Sequence, residues 1–290
     1  MLKRKLVRAG LYANGLVFFM ATVNGSDGQQ PVDTVTTLEV APIVRQLQAF
    51  DSSFIGLCEF PDSVLVNAPK IHLNASAAKF LKEYNRKNEE CLQRIKERSG
   101  PYFVMMDSVF TKYHLPIELK YLAVVESELI AKARSHVGAA GPWQLMASTA
   151  RDLSLKVRGR YDERTNYYKS TVAAAKYLRD LYSQFGDWLL VIAAYNSGPG
   201  KVLYAIKQTG SHNFWAIQRY LPAETRGHVK RFIATHYYFE GDGSITTLTK
   251  RETDTYRKSV SEYIAKQKTG TEKNKVLNSD LTIAGEVGKK

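Results

Sequence analysis

The chain has 290 residues, of which 44% are hydrophobic and 24% charged; these proportions are ordinary for a globular protein and argue against global disorder. Lys and Arg number 41 against 28 Asp and Glu, and the resulting formal net charge of +13 favours anionic partners such as nucleic acid, membranes or acidic polymers. No zinc-type Cys/His spacing, GxGxxG, Walker lysine loop or GxSxG is present. We therefore expect no metal and no cofactor, and nucleotide or serine-hydrolase chemistry is disfavoured.

The first 25 residues have the pattern of a secretory signal peptide. Basic side chains between Lys3 and Arg8 precede a mostly apolar run at 11–23, and small residues follow. The run is too short, and Asn14 interrupts it too early, for a membrane-spanning helix. We predict that residues 1–25 direct export to the periplasm or cell envelope. The alternative is a retained amphipathic anchor, which would add peripheral membrane association.

Export places the two cysteines, Cys58 and Cys91, in an oxidising compartment. A disulfide between them would restrict the unfolded chain and contribute roughly 3–4 kcal/mol to stability by chain-entropy arithmetic. Two free, buried thiols are the alternative, and the sequence does not decide between them.

From residue 76 onward, apolar side chains recur at helical spacing. Gly186 is expected to end one helix and Asp187 to cap the next. Earlier signals are weak, namely a short helix at 43–47 and a brief strand at 63–66. In chain order, the predicted helices are 76–98 (ended by Ser99, Gly100 and Pro101), 103–113, 115–127, one that begins near Trp143, one between Asp162 and Gly186, 188–195, 202–208 and 224–240.

Past Gly241 the composition changes to Thr, Lys, Glu and Ser, and few large apolar side chains remain. We predict a basic, partly disordered tail there, with a strand at 280–287. The fold class is mainly α, and no internal repeat occurs. The predicted divisions are 1–25 (signal peptide), 26–99 (partly helical N-terminal extension), 100–241 (helical domain) and 242–290 (tail).

Glu126 is the strongest candidate for a chemical role. It follows a run of Leu, Val and Ala and falls at the end of a predicted helix. An apolar setting and the negative end of the helix dipole both favour the neutral carboxylic acid. A protonated carboxylic acid is what a glycosidase needs to protonate the oxygen of its leaving group.

Two further segments carry side chains that suit sugar recognition. In Gly138–Gln144, glycines let the backbone approach a ligand closely, and a polar Gln follows them. In Ala194–Gly198, a phenol and an amide stand at the break between two helices. An amide and a phenol beside a protonated acid suit N-acetylated sugars, because the acetamido group both donates and accepts hydrogen bonds.

In this order and spacing, the motifs resemble those of the family 1 lytic murein transglycosylases. The matching segments are Glu126-Ser127, Gly141–Met146 and Ala194–Gly198. Leu221–Thr225 also looks like the fourth motif of the membrane-bound lytic transglycosylase D branch. The resemblance covers residues 100–240 and implies a lysozyme-like (goose-type lysozyme/transglycosylase) helical domain with a helical N-terminal extension. It also implies a groove that binds the glycan strands of peptidoglycan.

The resemblance further implies a mechanism. Glu126 matches the family's single catalytic acid and base, which cleaves the bond from N-acetylmuramic acid (MurNAc) to N-acetylglucosamine (GlcNAc). The product is a 1,6-anhydro-MurNAc end, formed without water. Four further residues match family positions that line the groove and bind the sugar: Ser135, Gln144, Tyr195 and Asn196.

The sequence departs from the family pattern at several positions. Ile130-Ala131 stands where the family often has Asn-Pro, and Ala147 replaces a usual Pro. Pro142-Trp143 replaces the commoner Leu-Met or Leu-Trp pair. His228 stands where the family tends to have Tyr. None of these departures removes the proposed acid.

Three other functions compete with the transglycosylase interpretation. A lysozyme-type hydrolase of the inverting kind needs a second carboxylate to activate water. A non-catalytic peptidoglycan-binding module would have no need of a buried acid. A nucleic-acid partner is not expected, because the basic residues are scattered rather than gathered in an aromatic-flanked stripe. The candidate second carboxylates for a hydrolase are Glu128, Asp152, Asp162, Glu163 and Glu224.

Overall fold

The computed structural model describes residues 68–287, with side chains up to residue 269. The predicted signal peptide, the short helix at 43–47, the strand at 63–66 and Cys58 lie outside the described residues. The question of a Cys58–Cys91 disulfide lies outside them too.

The described chain is mainly helical, which confirms the predicted fold class. The α-helices are α1 (Ala75–Lys112), α2 (Tyr121–Ser127), α3 (Ala147–Asp152), α4 (Tyr167–Phe185), α5 (Trp188–Ser197), α6 (Pro199–Thr209), α7 (Phe214–Ile217), α8 (Ala223–Glu240) and α9 (Lys250–Val287). Short 3-10 helices occupy Ile117–Lys120, Glu163–Thr165, Gln218–Tyr220 and Ile245–Thr247. A small antiparallel hairpin, not predicted from the sequence, pairs β1 (Val157–Arg158) with β2 (Tyr161–Asp162).

Helix α5 lies in the centre of the core. Every residue from Trp188 to Ala194 is buried, and the helix packs against α4, α6 and α8. Asp187 caps its first turn, as predicted, by accepting a hydrogen bond from the Leu190 backbone N–H at 3.1 Å. A helix that is apolar on all sides must be enclosed by other elements. Its C-terminal end, which carries Tyr195, is therefore held at a fixed place in the domain.

Helix α1 runs without a break through Pro101. The prediction that Ser99, Gly100 and Pro101 end a helix is wrong, because α1 continues to Lys112. Proline removes one backbone hydrogen bond and can break a helix interior. Here buried side chains on both sides of it, including Ile95 and Met106, hold the helix against the core. The boundary predicted between 99 and 100 thus falls inside a helix.

The segment after α8 is packed where the sequence predicts a loose tail. Ser244, Thr246 and Thr247 are buried, and the Lys250 backbone N–H donates to Asp187 at 2.6 Å. Early in α9, Tyr256 and Val260 are also buried. The strand predicted at 280–287 is wrong, since those residues belong to α9. Small hydroxylated residues suit this packing because their side chains bond the nearby backbone.

Glu118 is a buried acid just before α2. Its side chain lies beside Lys120 and the carboxyl groups of Asp107 and Glu240. Burial, with a smaller contribution from the Glu240 carboxylate, raises the pKa of Glu118 to about 7. The pKa in the folded state lies above the ordinary value of 4.5, so the folded state binds more protons between these two values. Stability is therefore lost as the pH rises through that window, because the unfolded state releases this proton before the folded state does.

We expect Glu118→Gln to remove part of the pH dependence of unfolding. Relative to the variant, the parent chain should lose about 2–3 kcal/mol of unfolding free energy as the pH rises from about 5 to about 8. Urea unfolding of both proteins at the two pH values measures this difference. Parallel stability curves for the two proteins would contradict it.

Candidate active site

Glu126 lies in the last turn of α2. The helix is buried along Leu122 and Ala123 and ends where Glu128 and Leu129 adopt left-handed backbone angles, φ 53° and 60°. Left-handed angles are uncommon for residues other than glycine, and they turn the chain sharply away from the helix axis. Glu126 is consequently held at the carboxyl end of a buried helix, as the sequence predicts, with its side chain 14% exposed.

The Glu126 carboxyl group is hydrogen-bonded to a histidine from α8. The distance from Glu126 Oε1 to His228 Nε2 is 2.9 Å, and the His228 side chain is only 2% exposed. These residues are 102 positions apart, and helix α8 brings them together by packing against α2. Sequence reasoning noted His228 only as a departure from the family pattern and did not predict this contact.

The chain between α2 and α3 forms a compact turn beside Glu126. Ser127 Oγ, next to the candidate acid, donates to the Pro142 carbonyl at 2.8 Å. Gln144 has a left-handed φ of 45°, and its Nε2 donates to the Gly141 carbonyl at 2.9 Å. A helix was predicted to begin near Trp143, but α3 begins at Ala147. Gln144 thus lies in a turn, where its backbone conformation is strained.

The tryptophans of the domain serve mainly the core. Trp143 is fully buried, and its Nε1–H donates to Thr171 Oγ1 at 2.9 Å. Trp188 is also buried, whereas Trp215 is half-buried. Trp143 and Trp188 are therefore not available to stack on sugars.

The end of α5 joins the same turn. The Tyr195 hydroxyl donates to the Trp143 carbonyl at 2.7 Å. Burial raises the pKa of Tyr195 well above its usual range, and the nearby Glu126 carboxylate raises it further. Tyr195 therefore stays protonated and remains a donor. Asn196 Oδ1 accepts a hydrogen bond from Thr225 Oγ1 of α8 at 2.9 Å.

The separate motifs are thus joined in a closed circuit. Ser127 and Tyr195 both bond carbonyls of the 141–144 turn. Asn196, next to Tyr195, bonds α8, and His228 of α8 bonds Glu126, next to Ser127. Three of the four predicted binding residues, Gln144, Tyr195 and Asn196, belong to this circuit or to the turn it includes. Each link uses a buried or half-buried group, so the arrangement is pre-organised rather than assembled on binding.

Ser135 lies in the loop before the 141–144 turn, and its Oγ accepts a hydrogen bond from the Ala139 N–H at 2.9 Å. The loop is tied down by Arg164, whose Nη1 donates to the Gly138 and Leu145 carbonyls at 2.8 and 2.9 Å. Asp162 binds the same guanidinium at 2.8 Å, and this contact lowers the pKa of the Asp162 carboxyl. Local sequence patterns did not predict these two Arg164 hydrogen bonds, because they join residues that are 26 and 19 positions apart in the chain.

The carboxylates that a hydrolase could use have other partners or settings. Glu163 pairs with Lys169 at 2.5 Å, and Glu224 pairs with Arg231 at 2.7 Å. Glu128 is exposed and lies near Cys91 of α1, and Asp152 is exposed at the end of α3. Within residues 68–269 no group of His, Cys, Asp and Glu side chains is placed to hold a metal ion. In the same residues no helix is long and apolar enough to cross a membrane.

Comparison with known proteins shows what this chain is similar to. Residues 110–218 match the family model described as the transglycosylase SLT domain, and the matched stretch contains Glu126, Gln144 and Tyr195. Over these residues the chain is similar to the transglycosylase SLT domain, and the resemblance to family 1 lytic transglycosylases is confirmed.

The chain is similar to the membrane-bound lytic murein transglycosylase D of Escherichia coli (strain K12). The two are 39% identical over 153 residues, which is 51% of this chain and 33% of that protein. The peptidoglycan transglycosylase gp16 of Escherichia phage T7 is 38% identical over 86 residues, 29% of this chain and 6% of that protein. The chain thus spans about a third of the length of its transglycosylase D relative.

A solved structure, the 70 kDa soluble lytic transglycosylase SLT70 from Escherichia coli, aligns with 65% of this chain and 34% of its own chain. The sequence identity is 24% and the TM-score is 0.47.

Proposed function

We propose that this protein is a lytic transglycosylase that cleaves the β-1,4 bond from MurNAc to GlcNAc in peptidoglycan and forms 1,6-anhydro-MurNAc ends. The observation that carries the proposal is the position of Glu126. It is a half-buried carboxyl group within the matched SLT segment, and it is hydrogen-bonded to the buried His228 of α8. A pre-organised acid of this kind suits proton transfer to a glycosidic oxygen.

In the proposed reaction Glu126 acts twice. As the acid, it gives its proton to the glycosidic oxygen, and the bond from that oxygen to C1 of MurNAc breaks as the substrate's own acetamido oxygen bonds to C1. As the carboxylate, it then takes the proton of the MurNAc C6 hydroxyl while the C6 oxygen bonds to C1 and the bond from C1 to the acetamido oxygen breaks. The proton returns to Glu126 and no water is consumed. A nucleophile already attached to the substrate has a large advantage over water from solution.

Tyr195, Gln144, Asn196 and Ser135 are proposed to shape the glycan groove. The Tyr195 hydroxyl is occupied by the Trp143 carbonyl, so its contribution is to fix the turn beside Glu126. Gln144 and Asn196 present amide groups of the type that pair with an acetamido group. Ser135 supports the loop that borders the turn. The net charge of +13 favours attraction to the anionic wall polymer.

A hydrolase with the same fold is the alternative, and product analysis separates the two. Purified protein is incubated with peptidoglycan sacculi in ¹⁸O-labelled water, and the released muropeptides are weighed by mass spectrometry. We expect anhydro-muropeptides without incorporated label. Labelled reducing ends would support the hydrolase, and the absence of any release would support a non-catalytic binding module.

We further propose that the protein acts in the periplasm or cell envelope. The basic start and short apolar run of the sequence support export. The mature chain is expected to begin between about Ser26 and Pro31. N-terminal sequencing of protein from envelope fractions tests this; a chain that retains Met1 and stays in the cytosol would contradict it.

A further inference from the structure

One ring nitrogen of His228 lies against Glu126, and the other has no partner among the residues that the structure describes. Nε2 lies 2.9 Å from Glu126 Oε1, whereas Nδ1 is buried and has no hydrogen-bond partner in the described part of the chain. Glu126 Oε2 has no hydrogen bond in these residues either, and it is not buried. It is therefore the carboxyl oxygen that reaches solvent. The two carboxyl oxygens of Glu126 therefore have different surroundings.

The unpartnered Nδ1 restricts where the protons of this pair can be. An imidazolium would place both a positive charge and an N–H without an acceptor in the interior. A neutral ring that accepts a proton from Glu126 at Nε2 would also leave an N–H at Nδ1 without an acceptor. The remaining form has its proton on Nε2, donates it to Glu126 Oε1 and leaves only a lone pair at Nδ1. Buried donors without acceptors are rarer than acceptors without donors.

The same form suits a residue that must be acid and base in turn. A proton on His228 Nε2 can bond Oε1 whether Glu126 is a carboxylic acid or a carboxylate. If Glu126 instead donated to His228, its proton would point away from the solvent side. After that proton had been given up, two lone pairs would face each other.

We infer that His228 is a positioning residue: it donates from Nε2 to Glu126 Oε1 and so keeps the proton of the acid on Oε2, the oxygen that faces the glycan. This role rests on the proposed transglycosylase function. His228 acts through Glu126 and exchanges no proton with the substrate.

The tautomer can be measured without any activity. In ¹⁵N-histidine-labelled full-length protein, long-range ¹H–¹⁵N correlation spectra distinguish the Nε2–H form, the Nδ1–H form and the imidazolium, and the signal of His228 is assigned by its loss in His228→Gln. We expect His228 to be neutral with its proton on Nε2. A proton on Nδ1, alone or together with Nε2, would overturn the inference.

Kinetics supply the second test, with a matched pair of variants. Gln and Met have similar size, but only Gln keeps an N–H donor, so His228→Gln and His228→Met differ mainly in the hydrogen bond to Oε1. We expect kcat on soluble glycan strands to fall about 10- to 100-fold in His228→Met, with KM changed less than about twofold. His228→Gln should retain at least about ten times the kcat of His228→Met.

Thermal unfolding of both variants checks that they are equally folded, and a purely structural role would affect both alike. The parent chain and Glu126→Gln are assayed beside them. A parent chain without transglycosylase products defeats the proposed function itself. If the parent chain is active, Glu126→Gln is inactive and the two His228 variants have equal kcat, the inference about His228 is wrong but the proposed function stands.

Discussion

Glu126→Gln is expected to lose nearly all activity while it folds normally and still binds glycan strands. Glutamine has almost the same shape, and its Oε1 can still accept the hydrogen bond from His228. It can neither donate a proton to the glycosidic oxygen nor take one from the C6 hydroxyl. Each of these roles supplies about 10²–10⁴-fold, so the loss should reach about 10⁴-fold or more. Release of anhydro-muropeptides and pull-down on sacculi measure the two effects separately.

Glu128→Gln and Glu224→Gln are the matched controls for this experiment. Glu128 is exposed at the end of α2, and Glu224 is paired with Arg231 near the start of α8. Both variants should retain activity close to that of the parent, since the transglycosylase mechanism uses one carboxyl group. An active Glu126→Gln variant would contradict the mechanism. A loss of activity in Glu128→Gln or Glu224→Gln as large as the loss expected for Glu126→Gln would also contradict it.

Gly141→Ala is expected to have the largest effect on the fold around the site. Gly141 has a φ of +82°, and a Cβ built on it would lie 1.8 Å from the Arg164 carbonyl oxygen. The 141–144 turn and the segment of Arg164 would have to separate, which would also move the carbonyls that Ser127 and Tyr195 bind. Left-handed strain and overpacking together should lower the unfolding free energy by about 3–5 kcal/mol. Urea unfolding measures this loss, and activity should fall with it.

Gly138→Ala provides the control for backbone strain alone. Gly138 has a similar φ of +87°, but no atom lies within 4 Å of a Cβ built there. This variant should lose only about 1–2 kcal/mol, the penalty of a left-handed alanine. Equal losses at the two positions would mean that the close approach to Arg164 is unimportant.

Features that depend on neighbouring residues could be predicted from the sequence. The predicted helices that correspond to α4, α5, α6 and α8 agree closely with the structure, because apolar spacing and end signals such as Gly186 and Asp187 act within one or two turns. The position of Glu126 at the end of an apolar helix is also a local property. The family motifs could be found because each lies within a few residues.

Features that depend on packing between distant segments could not be predicted from the sequence. Pro101 would normally break a helix, yet buried side chains on both sides keep α1 continuous. The Thr- and Ser-rich residues 244–249 have only two large apolar side chains, Ile245 and Leu248; both are buried, and the Ser and Thr hydroxyls bond the backbone around them. In both places, tertiary contacts outweigh the local preference.

The candidate site divides in the same way. The candidate residues from Glu126 through Gln144 to Tyr195 and Asn196 could be picked out from the sequence, because each stands in a short motif. The groups that touch Glu126 depend on the fold, since His228 is 102 residues away and reaches Glu126 through the packing of α8 against α2. A hydrogen bond needs its two atoms within about 3 Å. No periodicity along the chain specifies such a distance between segments so far apart.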